Sequence, residues 1–469
     1  MTGSADDPKN LSAVERALRL ITDVRAGEGA MALLLALDVF LVLGAYYLIK
    51  PVREALIGAV HNGPRYKSYM GAGVATAIFI AVPVYARLAS VWPRKKLILR
   101  VSSFFAANLV AFYFLGLTPW VKGELGATVF GLGFLLWMGV FNMMIVAQFW
   151  AFAADIYTED QGKRLFPLVA VGASLGAIAG SYTVKSIVQT VGTLQMMLIS
   201  ATVLVASALL TQVIHGRATK GKAEDAPPGA QEKDAEKGDE AANQEDKRGA
   251  YSLVLKNKYL LLIAIFTLLF TFVNTSGEYM ISQLVSDAAK EHEHTKEAIR
   301  EFIAGYMGDY FLWVNIAGLV IQLFLVSRIV KYAGFRVAFL VFPVVALASA
   351  TMITASPTLE AVRVGKTTEN SIDYSLNNTV RNMLWLPTTR RMKYVAKQAV
   401  DSFFARLGDV FSGAAVFILV GQLDLGVRGV AAMNIVLVLA WIYVAWRTVN
   451  ERDRLAKEHP EHIEGNVRV

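Results

Sequence analysis

The chain of 469 residues contains no cysteine. That single absence excludes disulfides, thiolate catalysis, iron–sulfur clusters and zinc ribbons together. Histidine is scarce too: His61, His215, His292, His294, His459 and His462 fall in segments that read as loops or tails, so no histidine catalyst or metal centre is expected. There is no HExxH helix and no GxSxG elbow, and GKT at 365–367 is not a phosphate-binding loop, because Glu360 stands where its first glycine is needed. The first 28 residues lack the short apolar core and small-residue cleavage site of a secretory signal, so the first apolar helix reads as an uncleaved anchor. Neither an enzyme nor a cofactor is expected.

What the chain has in abundance is long apolar sequence. Hydrophobic residues make up 55% of it, and runs at 30–56, 66–89, 97–117, 126–152, 165–189, 192–214, 252–282, 302–327, 335–355, 358–386, 399–420 and 428–448 are each near the ~20 residues a bilayer requires. The predicted fold is an all-α membrane protein of twelve transmembrane helices in two six-helix bundles, 30–214 and 251–450, the layout of the major facilitator superfamily. Before them, 1–29 reads as a cytoplasmic amphipathic segment, in which Ser12 and Glu15 form a capping-box pair. Between them, 215–250 is rich in Lys, Glu, Asp, Ala, Gly and Pro without apolar periodicity, and is expected to be a disordered charged linker. Residues 451–469 are expected to form a cytoplasmic tail.

Lys and Arg orient the helices. Arg87 with Arg94, Lys95 and Lys96, then Lys163 and Arg164, Arg328 with Lys331 and Arg336, Arg390 to Lys397, and Arg447 to Lys457 all fall on one side, which the positive-inside rule makes cytoplasmic along with both termini. The net charge of +8 is therefore mostly topology, and nucleic acid is not an expected partner. The expected location is a bacterial inner membrane. The two halves also match in order: Arg87 with Arg328, Asn142 then Phe149 with Asn378 then Trp385, and Gly172 with Gly408. Such repeats place a site at their interface.

Charge inside the apolar runs points to chemistry, because each ionised group near the bilayer centre costs ~2.5–3.5 kcal/mol on insertion scales. In 357–387, Arg363, Lys366, Asn370, Asp373, Asn377 and Arg381 step by three or four along one stripe, so this helix should not insert alone; they either line a site or form an ion-pair ladder between helices. In the first helix, Tyr46, Lys50 and Arg53 project to one side beside Pro51, suited to a carboxylate or phosphate, or else to snorkelling toward headgroups. Asp38, deeper in that helix, reads as an internal partner or proton site. Asn274 with Glu278 and Asp309 with Trp313 each lie four apart, one carboxylate and one polar or aromatic contact per helix. Tyr46, Phe149, Trp150, Trp313 and Trp385 could stack on a planar ligand, whereas Gly172, Gly176 and Gly180 on one stripe read as close helix packing.

At AYYLIKPVREALI, FWAFAADIYTEDQGKRLFPLVAVGASLGAIAGS and NSIDYSLNNTVRNMLWLPTTRRMKYVAKQAVDSFFARLGDVFSG the sequence resembles the ATP/ADP translocase family of plastids and bacteria, over roughly residues 30–450. The resemblance implies a twelve-helix fold and exchange of ATP for ADP, in some relatives import with protons. It also implies essential charges on helices one, four, seven and ten: Arg53 takes the first position, Glu278 the third and Arg381 the fourth, while the helix-four stretch offers Asn142 and no acid. A monomeric secondary transporter is expected, moving a nucleotide or related small anion, with protons or phosphate as possible co-substrates. Its solute would touch Tyr46, Lys50, Arg53, Asn142, Asn274, Trp313, Asn377 and Arg381, with Asp38, Glu278, Asp309 and Asp373 setting coupling or orienting the arginines. A proton-coupled exporter of organic solutes or drugs and a non-transporting scaffold are the rivals.

Overall fold

An apolar run in lipid can satisfy its backbone only by forming helix or a closed barrel. In the computed structural model, which describes residues 12–19, 22–225, 247–389, 392 and 396–458, the long elements are helices and no strand occurs among the described residues. They are α1 (Gly29–Gly58), α2 (Gly71–Val91), α3 (Arg94–Gly116), α4 (Glu124–Ile156), α5 (Glu159–Val191), α6 (Gln195–Asp225), α7 (Lys258–His292), α8 (Lys296–Val320), α9 (Gly334–Ala355), α10 (Leu359–Ile372), α11 (Ala405–Val416) and α12 (Gly426–Glu458). Three of them extend through wider π-helical turns: α8 through Ile321–Leu325 and Ile329–Ala333, α10 through Asp373–Asn377 to Met383, and α11 at both ends, over Val400–Phe404 and Phe417–Gln422.

Ten stretches among the described residues are long and apolar enough to cross a membrane. One of them, Lys296–Ala355, holds both α8 and α9, which part at Gly334, where φ is +78°. The charged α10 is not among the ten, and the excluded helix completes the twelve. This is a multi-pass membrane protein.

Some boundaries differ from the sequence reading. The α6 helix runs past residue 214 to Asp225 and a further helix spans Lys247–Lys256, so both edges of the expected linker are helical, while 226–246 lie outside the described residues. His215 accordingly sits in a helix and His292 ends one, whereas His459 and His462 lie outside the described residues. The α2 helix starts at Gly71, after a separate short helix Gly63–Tyr69. Pro51 is accommodated within a continuous α1.

The described residues divide into two compact units, one drawn from Met1–His61, Thr76–Pro228 and Ala289–Ile316, the other from Asn62–Ala75, Gly229–Ala288 and Ala317–Val469. In the first unit α5 lies along α1 at backbone contact. A Cβ at Gly172, Gly176 or Gly180 would fall 2.4, 2.2 or 2.5 Å from the carbonyl oxygens of Ala36, Phe40 and Gly44, so three small residues spaced by four meet three residues spaced by four. The α6 helix closes on the other side of α1, where Ser200 Oγ donates to the Ala45 carbonyl at 2.8 Å. In the second unit the core gathers around the fully buried Trp441 of α12, packed on Phe266, Phe270 and Phe342. Gly408 does for α11 against α7 what Gly172 does for α5 against α1, its Cβ position lying 2.6 Å from the Leu268 carbonyl oxygen. The internal match of these glycines thus corresponds to the same packing role.

The N-terminal segment is fastened to the first unit through polar contacts. Ser12 and Glu15 cap each other as the sequence predicts, and Glu15 also accepts from the Gly27 amide at 2.8 Å. Thr22 Oγ1 donates to the Arg164 carbonyl, and the Arg164 guanidinium grips Glu28 through 2.8 and 2.9 Å bonds at the start of α5. That guanidinium holds the Glu28 carboxyl below the usual carboxylate range against the opposing effect of partial burial. A carboxyl depressed in the folded state stabilises above its unfolded value of ~4.3 and loses that contribution as pH falls through the folded value. Glu28→Gln is therefore expected to lower stability by about 1 kcal/mol at pH 7, and the difference from the native chain should shrink below pH ~4.3, as read by thermal unfolding across pH.

Candidate functional site

The polar stripe of α10 is where the fold invests most against the hydrophobic effect. Lys366 is 0% exposed, and its amine donates to Asn274 Oδ1 of α7 at 3.0 Å and to Glu369 Oε2 at 2.9 Å. One turn on, Asn370 Nδ2 donates to Glu278 Oε1 at 3.0 Å. Spacing explains the pairing: Asn274 and Glu278 lie one turn apart on α7, as do Lys366 and Asn370 on α10, so two rungs form where the helices cross. Gly277 makes room for it, since a Cβ there would sit 2.8 Å from the Lys366 amine. Glu278 and Asp373 also act electrostatically on Lys366, which is held among three carboxylates.

Below this cluster the π-helical turn begins. Asn377 Nδ2 donates to Asp373 Oδ1 at 2.7 Å, and the Asn377 amide oxygen is buried without a hydrogen-bond partner among the described residues. Arg381 sits 3.5 Å from Asp401 and places its guanidinium 4.8 Å from the Phe270 ring centroid. All these residues belong to the second unit.

The first unit has its own charged set on α1. Lys50, 8% exposed, lies 4.0, 5.0 and 5.9 Å from the ring centroids of Phe311, Tyr47 and Tyr46, a cation among three aromatic faces. Arg53 pairs with its neighbour Glu54, a nearly fully buried carboxylate, so neither base reads as one that simply snorkels outward. Asp38 is buried and accepts from Ser207 Oγ at 2.6 Å and Thr211 Oγ1 at 2.9 Å, which joins α1 to α6. Asp309 binds Lys185 of α5 at 2.5 Å. Trp313, one turn beyond Asp309, is 50% exposed, and Asn142 is exposed on α4.

Sequence reasoning named Lys366 as part of a stripe without assigning it a role, and it missed Glu369, Glu54 and Lys185. Lys185 had a readable signal, as the one lysine inside the apolar run of α5. Glu369 and Glu54 had little, because their partners are adjacent bases whose burial only the packed helices reveal. Chemically, the α7–α10 cluster offers an ammonium group already bound to a carboxylate, the arrangement in which an incoming anion can exchange with the resident acid.

Comparison with known proteins bears on the family and the fold. Residues 130–451 match the family model described as TLC ATP/ADP transporter. The chain is 22% identical over 338 residues to ADP,ATP carrier protein 1 of Chlamydia pneumoniae, covering 65% of this chain and 63% of that carrier, so the match spans under two thirds of that relative. It is 21% identical over 444 residues to ADP,ATP carrier protein 5 of Rickettsia felis, covering 81% and 86%. Among solved structures, a mutant of the nucleoside transporter NupG superposes with a TM-score of 0.61 at 11% identity over 89% of this chain and 99% of that one. A mutant of the peptide transporter POT gives 0.58 at 12% identity over 93% and 99%. The fold is the twelve-helix, major-facilitator-like one, the family is one of transporters rather than enzymes, and by the family match this chain belongs to the TLC ATP/ADP transporter family.

Proposed function

We propose that the chain is a secondary transporter that moves a nucleotide of the ATP/ADP class across a bacterial inner membrane by alternating access, with both termini cytoplasmic. The observation that carries this reading is the buried Lys366 cluster on a helix too polar to insert alone, in a chain of this family. Lys366 serves as the anchor for phosphate oxygens, taking them in exchange for Glu369, while Asn274, Asn370 and Asn377 supply hydrogen bonds to polar edges. Arg381 and, in the first unit, Lys50 and Arg53 add positive charge, and Tyr46 and Trp313 offer aromatic faces. Asn142, exposed on α4, is retained as a polar contact. Glu278 and Asp373 beside Lys366 are the groups whose pairing changes with loading; Asp309 answers Lys185 in the other unit, and Asp38 holds α1 to α6. No cofactor is involved, and one chain suffices.

The test is uptake of labelled ATP into proteoliposomes loaded with ADP. Saturable exchange that collapses when internal nucleotide is omitted supports the reading. Efflux driven by a pH gradient, with no nucleotide exchange, would establish the proton-coupled exporter instead, a reading the family match does not favour.

A further inference from the structure

A cavity of about 530 Å³ lies in the first unit, where the ends of α3 and α5 meet the starts of α6 and α8. It is lined by none of the residues assigned a role above. Its charged lining consists of Lys122, Lys296 and Arg300 against Glu297 and Glu301, one positive charge in excess. Arg300 is only 7% exposed, yet its Nε has no hydrogen-bond partner and it forms no ion pair among the described residues; Glu297 acts on it only at longer range. Thr193, 5% exposed, also lines the cavity, and its Oγ1 is likewise without a partner.

Two largely buried polar side chains without protein partners on the lining of one cavity are costly, about 1–3 kcal/mol each, unless an acceptor reaches them. What they can bind is narrowed by chemistry. A guanidinium N–H needs an acceptor and favours a negative one. The starts of α6 and α8 bring the positive ends of two long helices to the same place. Lys296 spends one donor on the Lys122 carbonyl at 2.8 Å and keeps two. A cationic ligand would leave Arg300 unsatisfied, and a neutral one would accept from its N–H without answering its charge. A tetrahedral oxyanion has enough oxygens to accept from Arg300, Thr193 and a lysine at once.

We infer that this cavity binds a phosphate-class oxyanion, through Arg300 and Thr193, separately from the nucleotide site. Inorganic phosphate and the phosphate of a lipid headgroup share that chemistry.

The absence of native cysteine makes the test local. Thr190→Cys places a single thiol on the cavity lining. In lipid-free detergent, a sulfonate-bearing thiol reagent is expected to modify it at least about fivefold faster than an ammonium-bearing one, and inorganic phosphate should slow both. Arg300→Gln should abolish the preference and the protection while ATP exchange persists; Arg300→Lys should keep the preference and guard against misfolding as the explanation. Protection should survive in Lys366→Gln, which separates this site from the nucleotide reading. In phosphatidylglycerol nanodiscs, protection without added phosphate identifies the occupant as lipid, and an open thiol until phosphate is added identifies the free anion. Equal rates for the two reagents, or protection that persists in Arg300→Gln, would overturn the inference.

Discussion

Replacing Lys366 with alanine should lower nucleotide exchange in proteoliposomes by at least about a hundredfold, the scale of losing a preorganised charge at a binding centre. Two effects combine. The anchor for the solute's anionic groups disappears, and Glu369 is left buried beside Glu278 and Asp373 without its cation. Breaking a buried pair by deleting one partner costs about 3–5 kcal/mol, so loss of exchange by itself would not separate function from folding. The pair Lys366→Met with Glu369→Leu makes that separation, because apolar replacement of both partners is often neutral or stabilising. The double variant is expected to recover thermal stability and remain without exchange. If it exchanged ATP for ADP at the native rate, Lys366 would be a structural residue and the proposed anchor would be wrong. Lys366→Arg keeps the charge, yet it must fit its larger fork against Gly277, and intermediate activity is expected.

Gly176→Val should be among the most damaging single changes to the fold of the first unit. At this position a Cβ would fall 2.2 Å from the Phe40 carbonyl oxygen, and the same seam continues at Gly172 and Gly180. Neither helix can yield by a side-chain rotation, since the clash is with backbone. The α1 and α5 helices must separate along the whole stripe, forfeiting close packing that in lipid has no hydrophobic substitute. Overpacking of a well-packed core costs typically about 1–3 kcal/mol, and backbone contact places this case at or above the upper end. Expression level and thermal stability of the purified protein measure it, with Gly133→Val, which meets nothing within 4 Å, as the control. Equal stability of the two variants would show that α1 and α5 are not bound at this seam.

Most of the fold is legible because lipid permits so little. Twelve runs of suitable length became twelve helices, and the glycine stripe marked a close helix contact without saying which helix it meets, because small residues spaced by four favour contact. Asp38 was readable as an internal partner or proton site, since a carboxylate in an apolar helix needs polar partners, and it meets Ser207 and Thr211. The site was legible as a stripe and not as a set of pairs. The α10 residues share a face by periodicity, but that Lys366 would take Glu369 and Asn274, with Arg381 turning to Asp401 and Phe270, depends on side-chain reach at a helix crossing. The Asp309–Lys185 pair is not legible in the sequence, because it joins residues far apart along the chain. The wider turns on α8, α10 and α11 were not foreseen either, since no residue type demands them.

Those wider turns are unevenly shared. Among the described residues they occur in the second unit, on α8, α10 and α11 and again at residues 392 and 396, and α1 to α6 have none. A π turn holds one residue more than an α turn can absorb, and the surplus can migrate along a helix by successive exchange of hydrogen-bond partners, rotating the side chains it passes. Asp373 and Asn377 sit on such a turn, so a shift of that surplus would re-aim both side chains without unfolding the helix, and the described helices α1 to α6 carry no turn that could do the same.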